Sequence, residues 1–191
     1  MSYMVKAAMD AFGRVDILIN NAGILRDKTF SKMEIADFEI VLDVHLMGAV
    51  NVTKAVWPIM REQKYGRIVM TTSPSGLYGN FGQTNYGAAK LGLIGFMNTL
   101  KIEGAKDNIH TNAIASVAAT RMTENLMSEA ALKALAPELI TPGVVYLCTE
   151  DAPNGVILQA QGGRFSVACI MENAGVDLGV DATVEDIGAN Y

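Results

Sequence analysis

Apolar residues recur at three- and four-residue spacing from Tyr3 to Phe12, at Met4, Ala7, Ala8, Ala11 and Phe12, which predicts a helix that Gly13 ends as a left-handed cap. Val15-Asp16-Ile17-Leu18-Ile19 is a short β-branched run, read as a buried strand that stops at Asn20-Asn21-Ala22-Gly23. From Glu34 to about Gln63 the helical period returns through Phe38, Val41, Leu42, Leu46, Ala49, Val50 and Trp57, with a kink expected at Pro58. Ile68 to Thr72 reads as a second buried strand, Ser73 to Thr84 as a loop rich in Gly and Ser, and Asn85 to Ala105 as a helix despite three interior glycines. Ile109 to Ala115 predicts a third strand and Met122 to Ala136 a helix. Thr141-Pro142 opens another helix, with Thr as cap and Pro at its first position. Val156 to Gln161 and Phe165 to Met171 are short strands, and a loose acidic tail follows.

Strands that alternate with helices of ten or more residues define an α/β fold with a parallel sheet covered on both faces. One domain is expected over residues 1–172, with 173–191 as a C-terminal tail.

Composition narrows the function. Half of the 191 residues are apolar and 18% are charged, with a mean hydropathy of +0.24, so large buried faces are expected rather than disorder. The net charge of −5 comes without any basic run, which argues against nucleic acid and anionic membrane as partners. The longest uncharged run, Ile68 to Ala89, is filled with Ser, Thr, Asn, Gln and Gly and is no membrane span. No export signal is read at the N-terminus. The two cysteines, Cys148 and Cys169, provide neither a disulfide framework nor a zinc site, which fits a reducing, cytoplasmic setting. His45 and His110 lie far apart without clustered carboxylates, so no metal site is expected.

Chemistry concentrates in Tyr86-Gly87-Ala88-Ala89-Lys90, which follows Ser73 at the end of a strand. A Tyr and a Lys four apart on a helix share one face, and an ammonium beside a phenol favours its ionised form, bringing the group toward the range of a general acid/base. Ser73 is placed to hydrogen-bond the oxygen on which the proton moves. Taken alone the pair also fits a solvated helix face.

Together, Asn20-Asn21-Ala22-Gly23 after a strand, Ser73, and Tyr86 with Lys90 make the chain resemble the short-chain dehydrogenase/reductase family from about Met4 to Cys148. Residues 23–27, 78–86 and 108–110 look most like the (3R)-hydroxyacyl-CoA dehydrogenase units of peroxisomal multifunctional enzymes. The resemblance implies a Rossmann-like doubly wound sheet and hydride transfer between NAD or NADP and a 3-hydroxyacyl or 3-oxoacyl thioester. A 3-oxoacyl-carrier-protein reductase and a noncatalytic dimerising fragment are the alternatives. It further implies Tyr86 as acid/base, Lys90 as the group that lowers the tyrosine pKa and holds the nicotinamide ribose, and Ser73 as the residue that orients the substrate oxygen. Asn20, Ala22 and Gly23 would lie beside the cofactor and Thr120 near its carboxamide, in a homodimer or homotetramer.

The chain departs from the family pattern in three places. His45 stands where the family usually carries an Asn of a proton relay, and it reads either as a relay group or as a core histidine. Ser116-Val117 replaces an expected Pro-Gly, which bears on Thr120. No two glycines are separated by a single residue, so the Gly-rich phosphate turn is not in this sequence. At about 30 residues per βαβ unit, roughly 60 to 80 residues of the family pattern are absent, and the expectation is an N-terminally truncated member whose cofactor binding is impaired.

Overall fold

The computed structural model describes residues 3–120 and 128–190. Its elements are α1 (Tyr3–Phe12), β1 (Ile17–Asn20), α2 (Ile35–Leu42), α3 (Gly48–Gln63), β2 (Gly66–Thr72), α4 (Pro74–Tyr78), α5 (Thr84–Gly104) and β3 (Ile109–Val117). They continue with α6 (Glu129–Ala134), α7 (Thr141–Leu147), β4 (Ile157–Gln161), β5 (Arg164–Ala168) and α8 (Val184–Asn190). The strands form one sheet in the order β1-β2-β3-β4-β5, parallel through β4. This is the expected α/β architecture.

Alternation along the strands sorts side chains onto two faces. Leu18, Ile68, Met70, Ile109, Ala113 and Ile157 join Val56, Met60, Leu93, Ile94 and Met97 of α3 and α5 in the larger core. Val69, Ile114 and Leu158 point the other way, onto Ile140 and Leu147 at α7. β2 is buried on both faces, which is why it reads as an unbroken apolar run. β1 is an edge strand: Leu18 is buried, whereas Ile17 and Ile19 are 46% and 45% exposed.

Four expectations change. The long helix from Glu34 is two helices, because an extra residue is accommodated in a π-turn at Asp43–Met47; α3 runs on through Pro58 to Gln63. The Ser73–Thr84 loop contains the short helix α4. The last strand, β5, ends at Ala168 and pairs antiparallel to β4, since Gly162-Gly163 makes a tight hairpin with both glycines at positive φ. The tail is not wholly loose, for Thr183 starts α8 by accepting from the Asp186 N–H. The helix expected over residues 122–136 is described only at Glu129–Ala134; 121–127 lie outside the described residues. Among the described residues no helix is long and apolar enough to cross a membrane, and no three His, Cys, Asp or Glu side chains are grouped for a metal ion.

Candidate active site

β2 delivers Ser73 to the C-terminal edge of the sheet. There its extended backbone and its Oγ, which accepts from the Ser75 N–H at 3.2 Å, start α4. α4 packs on α5 through a close approach: a Cβ on Gly76 would lie 2.6 Å from Lys90 Cβ, so only glycine lets the two helices meet here. The Thr72 hydroxyl donates to the Lys90 carbonyl at 2.8 Å and fixes α5 against the strand. Lys90 is 3% exposed and donates from Nζ to the Thr71 carbonyl, with Nζ 5.3 Å from the centre of the Tyr86 ring. Ser73, Tyr86 and Lys90 are thus brought together by β2, α4 and α5.

Burial sets the electrostatics. Desolvation pushes the Lys90 pKa down to about 8. It pushes the Tyr86 phenol up, with Asp27 adding to the rise and a hydrogen bond with Ser73 opposing it. The net shift of the phenol is therefore upward, set by burial, with the Lys90 ammonium held on the Thr71 carbonyl and near the ring. The phenol, not the phenolate, is the favoured form here.

His45 sits in the π-turn and is 4% exposed. Its Nε2 lies 2.8 Å from the Ile24 carbonyl and 3.0 Å from the Ile24 N–H, and a neutral ring uses that nitrogen for one of them. Nδ1 is buried with no partner among the described residues. The ring meets Tyr86 edge to face, centroids 5.2 Å apart. Gly23 is pressed on it so tightly that a Cβ there would overlap His45 Cε1. Burial first, and the Lys90 charge second, hold its pKa down to about 4.

The other expected residues divide. Asn20 turns inward, donating from Nδ2 to Thr53 Oγ1 at 3.2 Å, and so supports the turn from behind. Ala22 and Gly23 are exposed on the loop after β1, and Thr120 is exposed just beyond β3. One residue was missed. Asn85, fully buried, donates from Nδ2 to the carbonyls of Arg26 and Asp37 at 3.0 and 3.2 Å, and its Oδ1 accepts from the Tyr86 N–H at 2.7 Å. It ties the start of the Tyr86 helix to the loop after β1 and to α2. Gln83 adds a bond from Nε2 to Asp27 at 2.7 Å, and Lys28 N–H donates to the Gly82 carbonyl. An Asn directly before Tyr86 was the available signal, but its partners lie 48 and 59 residues away.

The chain belongs to the short chain dehydrogenase family, whose sequence profile matches residues 1–145. It is 50% identical over 189 residues to a short-chain type dehydrogenase/reductase of Mycobacterium tuberculosis, covering 98% of this chain and 66% of that protein. It is 52% identical over 164 residues to peroxisomal multifunctional enzyme type 2 of Mus musculus, covering 86% of this chain and 22% of that one, as the motifs led us to expect. The crystal structure of a short chain dehydrogenase from Mycobacterium avium matches 97% of this chain, and 66% of its own, with a TM-score of 0.85 at 32% identity. The chain therefore spans less than two thirds of the length of each of these proteins.

Proposed function

We propose that this chain carries the reacting end of an oxidoreductase that moves hydride between NAD or NADP and a 3-hydroxyacyl or 3-oxoacyl thioester. The observation that carries the reading is the convergence of Ser73, Tyr86 and Lys90 at one sheet edge beneath an exposed loop, Asn21 to Gly23. When bound, the nicotinamide supplies or accepts the hydride. Lys90 would hold the cofactor's nicotinamide ribose, the turn after β1 would lie beside its adenosine and Thr120 near its carboxamide. The pyrophosphate end has no glycine-rich turn in these residues.

The protein's own part is a proton transfer. The Ser73 hydroxyl holds the substrate's 3-oxygen beside Tyr86 Oη, and the phenol that burial favours gives its proton to that oxygen as the carbonyl becomes an alcohol; the reverse direction returns the proton to Oη. Lys90, desolvated and close to the ring, stabilises the anion left on Tyr86. His45, kept neutral, holds the Ile24 backbone and packs edge to face with Tyr86, a positioning role. The half-exposed apolar residues Ile40, Met47 and Leu91 of the α2–α3 and α5 faces favour a homodimer or homotetramer, checked by sedimentation at micromolar concentration. The setting is intracellular, and no nucleic acid takes part.

The test joins the chain behind a glycine-rich strand–turn–helix unit and follows nicotinamide absorbance with acetoacetyl-CoA and with the same acyl group on a carrier protein. Turnover of the CoA thioester is expected. Turnover of the carrier-bound group alone selects the carrier-protein reductase, and none with either selects the noncatalytic fragment.

A further inference from the structure

Beside Ser73 the face of the sheet that packs on α5 changes character. Along β4 that face carries Ile157, which is buried in the core, and then Gln159 and Gln161. In the antiparallel ladder Gln159 stands opposite Ser166 and Gln161 opposite Arg164, so the four polar side chains share one face beyond the reach of the core. They line a half-open recess of about 150 Å³ bounded by Val117 of β3 and by Pro74, the residue that follows Ser73, with Gln161, Arg164 and Ser166 exposed at its mouth.

Gln159 is anchored, its Nε2 donating to the Tyr78 hydroxyl of α4 at 3.0 Å. Arg164 has neither an ion pair nor a hydrogen bond to any described residue, and the side chains of Gln161 and Ser166 make no hydrogen bond either. A guanidinium offers donors in a fixed fork that matches a carboxylate with two parallel bonds. A phosphoryl group brings about two charges near neutral pH, more than the single cation lining this cavity would balance. The volume is that of about five waters and falls below the roughly 300 Å³ at which pockets for drug-sized ligands begin, so the space takes the end of a molecule rather than a nucleotide or a long alkyl chain.

We propose that this cavity is a carboxylate-binding pocket in which Arg164, assisted by Gln161 and Ser166, receives the carboxylate end of a short acyl thioester whose 3-oxygen lies at Ser73. The pocket stands on the cavity and its unpaired cation, whereas assigning it to the thioester rests on the function proposed above.

The pocket is tested on the purified chain with glutarate, its neutral diamide and inorganic phosphate, read from the side-chain amide NMR signals of Gln159 and Gln161 and from calorimetry. Glutarate should bind in preference to both others. Arg164→Met should weaken it at least about tenfold, and Arg164→Lys, which keeps the charge without the fork, should fall between. Equal binding of glutarate and its diamide, tighter binding of phosphate, or unchanged binding in a folded Arg164→Met protein overturns the pocket. In the catalytically complete protein, Arg164→Met should raise KM for a 3-oxoacyl thioester ending in carboxylate and not for one of equal length ending in methyl; equal changes overturn the assignment to substrate. Arg164-dependent glutarate binding without any thioester turnover would sink the proposed function and leave the pocket standing, and the opposite pair of results would do the reverse.

Discussion

Replacing His45 by Asn tests whether the imidazole is held neutral by its surroundings. In the fold its pKa is about 4 against 6.5 for the free group, because it is buried and faces the Lys90 ammonium, which together outweigh its bond to the Ile24 backbone. Between those two values the unfolded chain binds more protons than the folded one, so stability falls as pH drops through 6.5 toward 4; above 6.5 the penalty is absent. At about 1.4 kcal/mol per pH unit, the penalty reaches about 3 kcal/mol below pH 4, and about 2 kcal/mol of it develops between pH 7 and pH 4.5. Urea unfolding of wild type and His45→Asn at those two pH values gives the difference directly, and whatever the lost ring packing costs appears at both and cancels. Wild type should lose about 2 kcal/mol more than the variant on acidification. Equal losses would refute the neutral imidazole on which its positioning role depends.

Asn85→Ala should cost about 2–4 kcal/mol, measured by denaturant unfolding, because it leaves the Arg26 and Asp37 carbonyls and the Tyr86 N–H without their buried partner; a loss below about 0.5 kcal/mol would contradict the tie. These 191 residues by themselves should bind NAD and NADP weakly or not at all in a calorimetric titration, since they contain no glycine-rich turn for the pyrophosphate; tight stoichiometric binding of either would show that argument to be wrong.

The elements that announce themselves in the sequence are those whose period is long or whose composition is one-sided. α1 and α5 carry several helical turns of spaced apolar residues, β2 is buried on both faces, and Ser73, Tyr86 and Lys90 are fixed relative to one another by a strand end and one helical turn. The π-turn at Asp43–Met47 leaves no mark, because one extra residue hardly disturbs an apolar stripe, while Pro58 suggested an irregularity that the helix absorbs. α4 is five residues long, too short to show a period among glycines and serines. Asn85 depends on partners that only the folded chain brings near. Four-residue spacing puts Lys90 on the same face as Tyr86, but only the structure shows Nζ donating to the Thr71 carbonyl and burial setting the upward direction of the phenol's shift.

The central claim is that Tyr86 is the proton donor and acceptor, with Ser73 and Lys90 serving it. Its most direct test is the steady-state turnover of an acyl thioester by Tyr86→Phe, made in the chain joined to a glycine-rich cofactor unit and checked for an unchanged fold by circular dichroism. Phe keeps the ring against His45 and removes only Oη. Nearly all turnover should be lost; a folded Tyr86→Phe protein that retains most of its rate would contradict the account.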